Sequence, residues 1–215
     1  MEKLSKMKIE VLRIGQRVIR DDRVTTHVAL VARAFGASKI YMNEVDPEIE
    51  NTIKRMNKTW GGEFEVEFFE DWKKVLKSKI EEYKIVHLTM YGEKIDDVAK
   101  EIRKNQKILI VVGAEKVPRT IYEKSDYNVS VSNQPHSEIS ALGIVLDRLH
   151  KGKQFDMKFD SESAVLIREC QSAKLYYAEK DDFEKAAIFK EIEDQLKDIG
   201  MKIASLETRK ATAIV

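Results

Sequence analysis

Short apolar runs alternate with amphipathic stretches over the first two thirds of the chain. Residues 108–112 are continuously apolar, which is typical of a central strand in a parallel sheet, whereas residues 64–69 alternate with glutamates, which favours an edge or half-exposed strand. This alternation of strand and helix patterns predicts an α/β fold, a mostly parallel sheet with helices on both faces. Strands are expected at residues 9–12, 40–42, 64–69, 84–88, 108–112 and 127–131, and helices at 28–35, from 47, at 72–80, at 95–102 and from 137.

The pattern changes after His150. Residues 161–178 and 182–200 have helical spacing and are joined by a short charged turn, which predicts an αα-hairpin. A short strand is expected near Ile203. We therefore expect one domain in residues 1–152 and a helical appendage in residues 153–215.

Composition narrows the class of protein. A chain of 215 residues with 43% hydrophobic residues can bury a sizeable core. No apolar run approaches the roughly 20 residues of a membrane span, and the first residues lack the apolar stretch of a signal peptide. One cysteine, Cys170, excludes an internal disulfide and a multi-cysteine metal site, and the four histidines lack zinc-ligand spacing. We expect a cytoplasmic protein with no bound metal and no membrane contact.

Positive charge is concentrated near the N-terminus. The net charge is only +1, but the first 39 residues contain nine Lys and Arg against four Asp and Glu, a local balance of +5. Four arginines, at positions 13, 17, 20 and 23, surround the junction between the first strand and the first helix. Guanidinium groups bind phosphate in a bidentate manner, so this segment is a candidate polyanion site. Alternatively, these arginines form surface ion pairs with Asp21 and Asp22.

Three polar loops, residues 87–92, 113–118 and 132–138, follow predicted strands. Open α/β sheets bind ligands at the carboxyl ends of their strands. Gly113 permits close backbone approach, and Ser137 can cap a helix whose N-terminus is partly positive. Each loop taken singly is also explained as an ordinary turn, but three together favour a composite pocket. The chain has neither the phosphate-binding loop nor the glycine fingerprint of nicotinamide-binding proteins, and no Ser-His-Asp set can be assembled.

The same four segments closely resemble the archaeal tRNA ribose 2′-O-methyltransferases that modify a cytidine in the T-loop, a family within the SPOUT superfamily. The resemblance covers most of residues 8–150, and the motif Asn-Gln-Pro-His-Ser-Glu at 133–138 is long and unusual. The matching stretches are residues 11–15, 20–30, 32–37, 87–92, 113–118 and 133–138.

This resemblance implies a specific fold and chemistry. Members of the superfamily have a C-terminal trefoil knot, form homodimers and bind S-adenosylmethionine among three loops of the knot. The reaction would be 2′-O-methylation of cytidine 56 of tRNA, with the helix from Ser137 in the dimer interface. By resemblance, Arg20 or Arg23 takes part in catalysis. The implied donor-binding residues are Leu88, Gly113, Ala114, Glu115, Lys116, Val117, Val131, Ser132, Asn133, Gln134, Pro135, His136, Ser137 and Glu138.

Two alternatives stay open at this point. The first is a non-catalytic RNA-binding adaptor that keeps the knotted fold. The second concerns the tail, because residues 177–187 resemble the UVR helical hairpin of bacterial excision-repair proteins. That hairpin would bind a further partner or position RNA, or it would simply pack as an accessory element. One departure from the family is Ser132, where a glycine is expected.

Overall fold

Six strands form one parallel sheet in the described part of the chain. The structure, a computed structural model, describes residues 7–15, 22–43, 48–113, 116–159 and 162–212. The strands are β1 (Lys8–Ile14), β2 (Lys39–Asn43), β3 (Glu65–Phe69), β4 (Lys84–Lys94), β5 (Lys107–Gly113) and β6 (Tyr127–Ser130). Their order across the sheet is β3-β2-β1-β5-β4-β6, and every neighbouring pair is parallel.

Helices connect these strands. They are α1 (Asp22–Ala34), α2 (Glu48–Trp60), α3 (Trp72–Lys79), α4 (Ile95–Ile102), α5 (Arg119–Lys124) and α6 (Glu138–His150). A 3₁₀ turn (Lys153–Asp156) follows, and then α7 (Glu162–Glu179) and α8 (Phe183–Thr212). The predicted α/β fold is confirmed. The expected strand near Ile203 is wrong, because α8 continues through that position. None of the helices in the described ranges is long and apolar enough to cross a membrane.

Most residues of the central strand β1 are buried, whereas residues of the edge strand β3 are partly exposed. Residues 9–14 of β1 are all buried, and successive side chains of a strand point to opposite faces, so both faces of the central sheet are covered. β3 lies at the edge, and its two glutamates, Glu65 and Glu67, are exposed. The alternating pattern predicted an edge or half-exposed strand, and β3 is an edge strand with partly exposed residues.

One carboxylate is buried in the sheet. Glu10 is 1% exposed and accepts hydrogen bonds from the hydroxyls of Tyr41 at 3.0 Å and Tyr83 at 2.7 Å. Its oxygens also lie 2.7 Å from Lys79 Nζ and 2.9 Å from Lys8 Nζ. Burial alone would raise the pKa of Glu10, but these four donors outweigh it and lower the pKa from 4.5 to about 2.

We expect Glu10→Gln to destabilise the protein by about 3 kcal/mol at pH 7, the free energy equivalent of this lowered pKa. Because the folded-state pKa lies below the unfolded-state value, the contribution is complete above pH 4.5 and is lost as the pH falls towards 2. The difference in unfolding free energy between wild type and variant, measured in urea, should therefore shrink from pH 5 to pH 2. Glu82→Gln is the control, because Glu82 is exposed and pairs with Lys107 at the surface. A difference that does not vary with pH would contradict this account.

The C-terminal helices belong to a second compact unit. One unit comprises residues 1–46 and 64–157, and the other comprises residues 47–63 and 158–215. In the second unit, Thr59 of α2 lies against Gly200 of α8. The carboxylate of Glu193 binds Lys174 and Lys197, and these hydrogen bonds, with one from Gln171, lower its pKa to about 2. The grouping of α2 with the tail was not foreseen, and the predicted boundary at residue 152 stays a prediction.

Candidate functional site

A cavity of about 940 Å³ opens at the carboxyl ends of β4 and β5, beside the N-terminus of α6. Three loops predicted to form a composite pocket contribute to its wall. Eight of the predicted donor-binding residues line it, namely Leu88, Gly113, Lys116, Val117, Pro135, His136, Ser137 and Glu138. Its size is typical of a site for a small organic ligand.

Four of the other predicted donor-binding residues are described and do not line this cavity. Val131, Ser132, Asn133 and Gln134 lie in the segment that connects β6 to α6. There the Ser132 carbonyl accepts from Ser130 Oγ at 2.8 Å, and Ser132 Oγ accepts from the Gln134 amide at 3.1 Å. These bonds shape the turn that places Pro135 and His136 in the wall. The other two, Ala114 and Glu115, lie outside the described residues.

The cavity also contains residues that the sequence did not single out. Tyr122 of α5 shares a hydrogen bond with Thr89 of β4, with the two oxygens 3.1 Å apart. Tyr122 could not be predicted from the sequence, because it lies in the helix before β6, whereas the predicted loop follows β6. Val112, Arg119 and Ala141 also line the cavity and lie outside the segments predicted to form the site. The other lining residues come from predicted segments, although they were not named as donor-binding: His87, Thr89, Met90 and Tyr91 from the loop at 87–92, and Val24 from the stretch at 20–30.

β4 is longer than predicted because it resumes pairing after an irregularity. Leu88 and Glu93 both pair with Val129 of β6, so the residues between them bulge out of the strand. Gly92 lies so close to β6 that a Cβ atom there would be 2.4 Å from the carbonyl oxygen of Asn128. The bulge presents Met90 and Tyr91 to the cavity, and Tyr91 is 80% exposed. The glycine at this position is therefore required by the close approach of two strands.

His87 contributes a buried nitrogen to the cavity wall. Asn128 donates from Nδ2 to the Tyr122 carbonyl at 3.1 Å, so its Oδ1, 2.8 Å from His87 Nδ1, accepts the imidazole proton. Nε2 then carries the lone pair, and it has no hydrogen-bond partner among the described residues. Burial lowers the pKa of His87, and the bond to Asn128 opposes this only partly. The imidazole ring is therefore neutral at neutral pH, and its Nε2 is a hydrogen-bond acceptor without a partner among the described residues.

The N-terminus of α6 forms another part of the wall. Ser137 Oγ accepts from the Ile139 amide at 3.2 Å, which confirms the predicted helix cap. Glu138 lies next to it but pairs with Arg13 of β1, whose Nε is 2.9 Å from Glu138 Oε1. Side-chain exposure is 1% for Arg13 and 10% for Glu138, so this is a buried ion pair. Because the acidic charge is compensated, the partly positive helix end can favour an anionic group in the cavity.

The two predicted catalytic arginines lie at the edge of what the structure describes. Arg20 is outside the described residues. The backbone of Arg23 lies in the first turn of α1, although its side chain is not described. Val24, the next residue, lines the cavity, so the start of α1 lies at the site. Among the described residues, no cluster of three or more potential metal ligands is present.

This fold occurs in RNA methyltransferases. The chain superimposes with a TM-score of 0.54 on a putative RNA methyltransferase of the TrmH family from Porphyromonas gingivalis, with 9% identity, covering 68% of this chain and 61% of that one. It superimposes with a TM-score of 0.51 on the SpoU methyltransferase AviRb from Streptomyces viridochromogenes in complex with AdoMet, with 11% identity, covering 69% and 58%. At these identities the likeness defines the fold alone.

Sequence similarity is more specific. Residues 60–175 match the family described as tRNA ribose 2′-O-methyltransferase, aTrm56. The tRNA (cytidine(56)-2′-O)-methyltransferase of Nitrosopumilus maritimus is 62% identical over 162 residues, which cover 75% of this chain and 92% of that protein. The chain belongs to the aTrm56 family of tRNA ribose 2′-O-methyltransferases, as the resemblance of its loops indicated.

Proposed function

We propose that this protein transfers a methyl group from S-adenosylmethionine to the ribose 2′-hydroxyl of cytidine 56 in tRNA. The main support for this proposal is the family to which the chain belongs. A relative named for this activity is 62% identical, and the match covers 92% of that relative's length. The cavity where the three predicted loops meet supports it. The SpoU methyltransferase AviRb, crystallised with AdoMet, shares the fold.

The residues of the cavity fit a donor that is partly apolar and carries charged ends. Leu88, Val112 and Val117 supply apolar walls. The capped N-terminus of α6 favours a carboxylate. When bound, S-adenosylmethionine supplies an activated methyl group on its sulfonium. The chain would contribute binding and orientation, which are worth up to about 7–11 kcal/mol in favourable cases.

The acceptor is a ribose hydroxyl, which is a poor nucleophile and must lose its proton as it attacks. Arg20 and Arg23 are our candidates for holding the RNA phosphate and orienting this hydroxyl. Arginine side chains stay protonated at neutral pH because their pKa lies above about 12. Their role in the proposal is therefore to bind and compensate negative charge. The proton acceptor is left unassigned.

Assembly and topology are also part of the proposal. We infer a trefoil knot from the family to which the chain belongs. The chain from the bulge of β4 lies against β6, with Gly92 close to the backbone of Asn128. We infer a homodimer through α6, where Ile144 is apolar and 41% exposed.

A further partner that binds the C-terminal helices would contact exposed apolar side chains, including Leu175 and Phe183. Because tRNA is the substrate, the compartment proposed is the cytoplasm.

Two measurements on the full-length protein test this function. Calorimetry with S-adenosylmethionine should detect one donor site per chain. Transfer of labelled methyl should occur to a tRNA transcript and disappear when position 56 carries 2′-deoxycytidine, which lacks the acceptor hydroxyl. Binding of tRNA without donor binding or transfer would instead identify a non-catalytic RNA-binding adaptor.

A further inference from the structure

A second cavity, of about 320 Å³, lies on the other side of the loop that follows β5. It shares Lys116 and Val117 with the first cavity, so one loop forms a wall of both. The other lining residues come from the carboxyl ends of β1 and β2, from the start of α3 and from the same loop. They are Ile14, Gly15, Asn43, Trp72 and Pro118.

The lining has the chemistry of a nucleobase site. Trp72 is half-buried and offers an aromatic surface, to which Ile14, Val117 and Pro118 add apolar contacts. Asn43 is half-buried at the last position of β2, and its side-chain amide makes no hydrogen bond to another described residue. Unpaired RNA bases are recognised by stacking on aromatic rings and by hydrogen bonds along their edges. An amide provides both a donor and an acceptor, as the edge of cytosine requires.

Positive charge lies around the same cavity. Lys116 is exposed at its wall, and Lys73 Nζ lies 5.9 Å from the centre of the Trp72 ring. These two lysines suit the phosphates next to an inserted base. Because Lys116 and Val117 line both cavities, a nucleotide with its base in the second cavity can bring its ribose towards the first.

We propose that this second cavity is the subsite for the base of the methylated nucleotide. Trp72 stacks on the cytosine and Asn43 hydrogen-bonds to its edge, while the ribose lies between the two cavities. This inference rests on the proposed function, since it takes the donor to occupy the first cavity. It assigns to Trp72 and Asn43 a positioning role that leaves donor binding unaffected.

The first test removes the base and keeps the reacting hydroxyl. A tRNA with an abasic ribose at position 56 should be methylated by the wild type about 10- to 100-fold less efficiently in kcat/KM, the range typical of one stacked base. Trp72→Ala should reduce kcat/KM on intact tRNA by a similar factor. Its kcat/KM on the abasic tRNA should be little lower than on intact tRNA. Trp72→Phe should restore most of the activity on intact tRNA. Equal abasic penalties in wild type and folded Trp72→Ala would overturn the proposal.

The second test concerns the edge of the base. Asn43→Ala should reduce the preference for cytidine over uridine at position 56 by about tenfold, because one base-edge contact is lost. Donor affinity should not change. A purely structural role for Asn43 would lower activity on both nucleotides equally, and that result would overturn its assignment.

A direct binding signal separates this inference from the proposed function. The chain has two tryptophans, so Trp60→Phe leaves Trp72 as the single reporter. Its fluorescence should be quenched by tRNA with cytidine 56 and much less by the abasic tRNA. Absence of methyl transfer by the wild type would refute the proposed function, yet base-dependent quenching would still support the subsite. Quenching that is identical with both RNAs would refute the subsite even in an active enzyme.

Discussion

A Gly113→Val variant should remain folded and bind S-adenosylmethionine about 10- to 100-fold more weakly than the wild type, because overfilling a packed site costs about 1–3 kcal/mol. Gly113 is the last residue of β5, pairs with Ile14 of β1 and lines the large cavity. It does not have a positive φ, so a valine can adopt its backbone conformation. Valine is also favoured in strands. The added methyl groups should therefore obstruct the ligand with little strain on the sheet.

Calorimetric titration with the donor measures this effect, and thermal unfolding verifies that the variant is folded. Gly143→Ala is the matched control. A Cβ at position 143 in α6 would lie 3.7 Å from Val31 Cγ1, an ordinary contact, and Gly143 does not line the cavity. The control should bind the donor normally. Unchanged donor affinity in folded Gly113→Val would mean that the donor binds elsewhere.

Replacing Arg20 or Arg23 with alanine should reduce methyl transfer by about 100- to 1000-fold, as loss of a preorganised charge at a reacting centre does. Donor affinity should stay within about twofold, because the variants alter contacts to RNA rather than to the cavity. The local charge of +5 and the position of α1 at the cavity motivate this expectation. Single-turnover transfer assays at saturating donor give the rate, and calorimetry gives the donor affinity.

Arg17→Ala provides the comparison from the same segment. Arg17 lies between the two stretches that resemble the family, so its loss should weaken tRNA binding with a much smaller effect on the transfer step. If the cluster contacts phosphates, binding of tRNA by the wild type should also weaken as the salt concentration rises. Each lost phosphate contact should reduce the slope of log K against log salt concentration by about one. Full activity in both Arg20→Ala and Arg23→Ala, or binding that does not vary with salt, would exclude this role.

Parts of the large cavity were predictable from local sequence patterns, and other parts were not. The segments at 87–92 and 113–118 and the cap of α6 were predicted because each follows or begins a local pattern of strand, polar loop and helix start, although residues 87–92 lie at the bulge within β4. That Glu138 contacts the donor was implied by the resemblance to the family. The observed partner of Glu138, Arg13, lies 125 positions away in the sequence, and no local pattern indicates such a pairing.

The sequence by itself determined the α/β class, the parallel strands, the edge or half-exposed position of β3 and the loops that carry the site, because hydrophobic periodicity and turn chemistry are local properties of the chain. Its motifs also determined the family. Only the tertiary structure decided that β4 resumes after a bulge, that α2 groups with the C-terminal helices and that Asn43 and Trp72 face one cavity beside Lys116. Each of these depends on packing between segments distant in sequence, which local patterns do not encode.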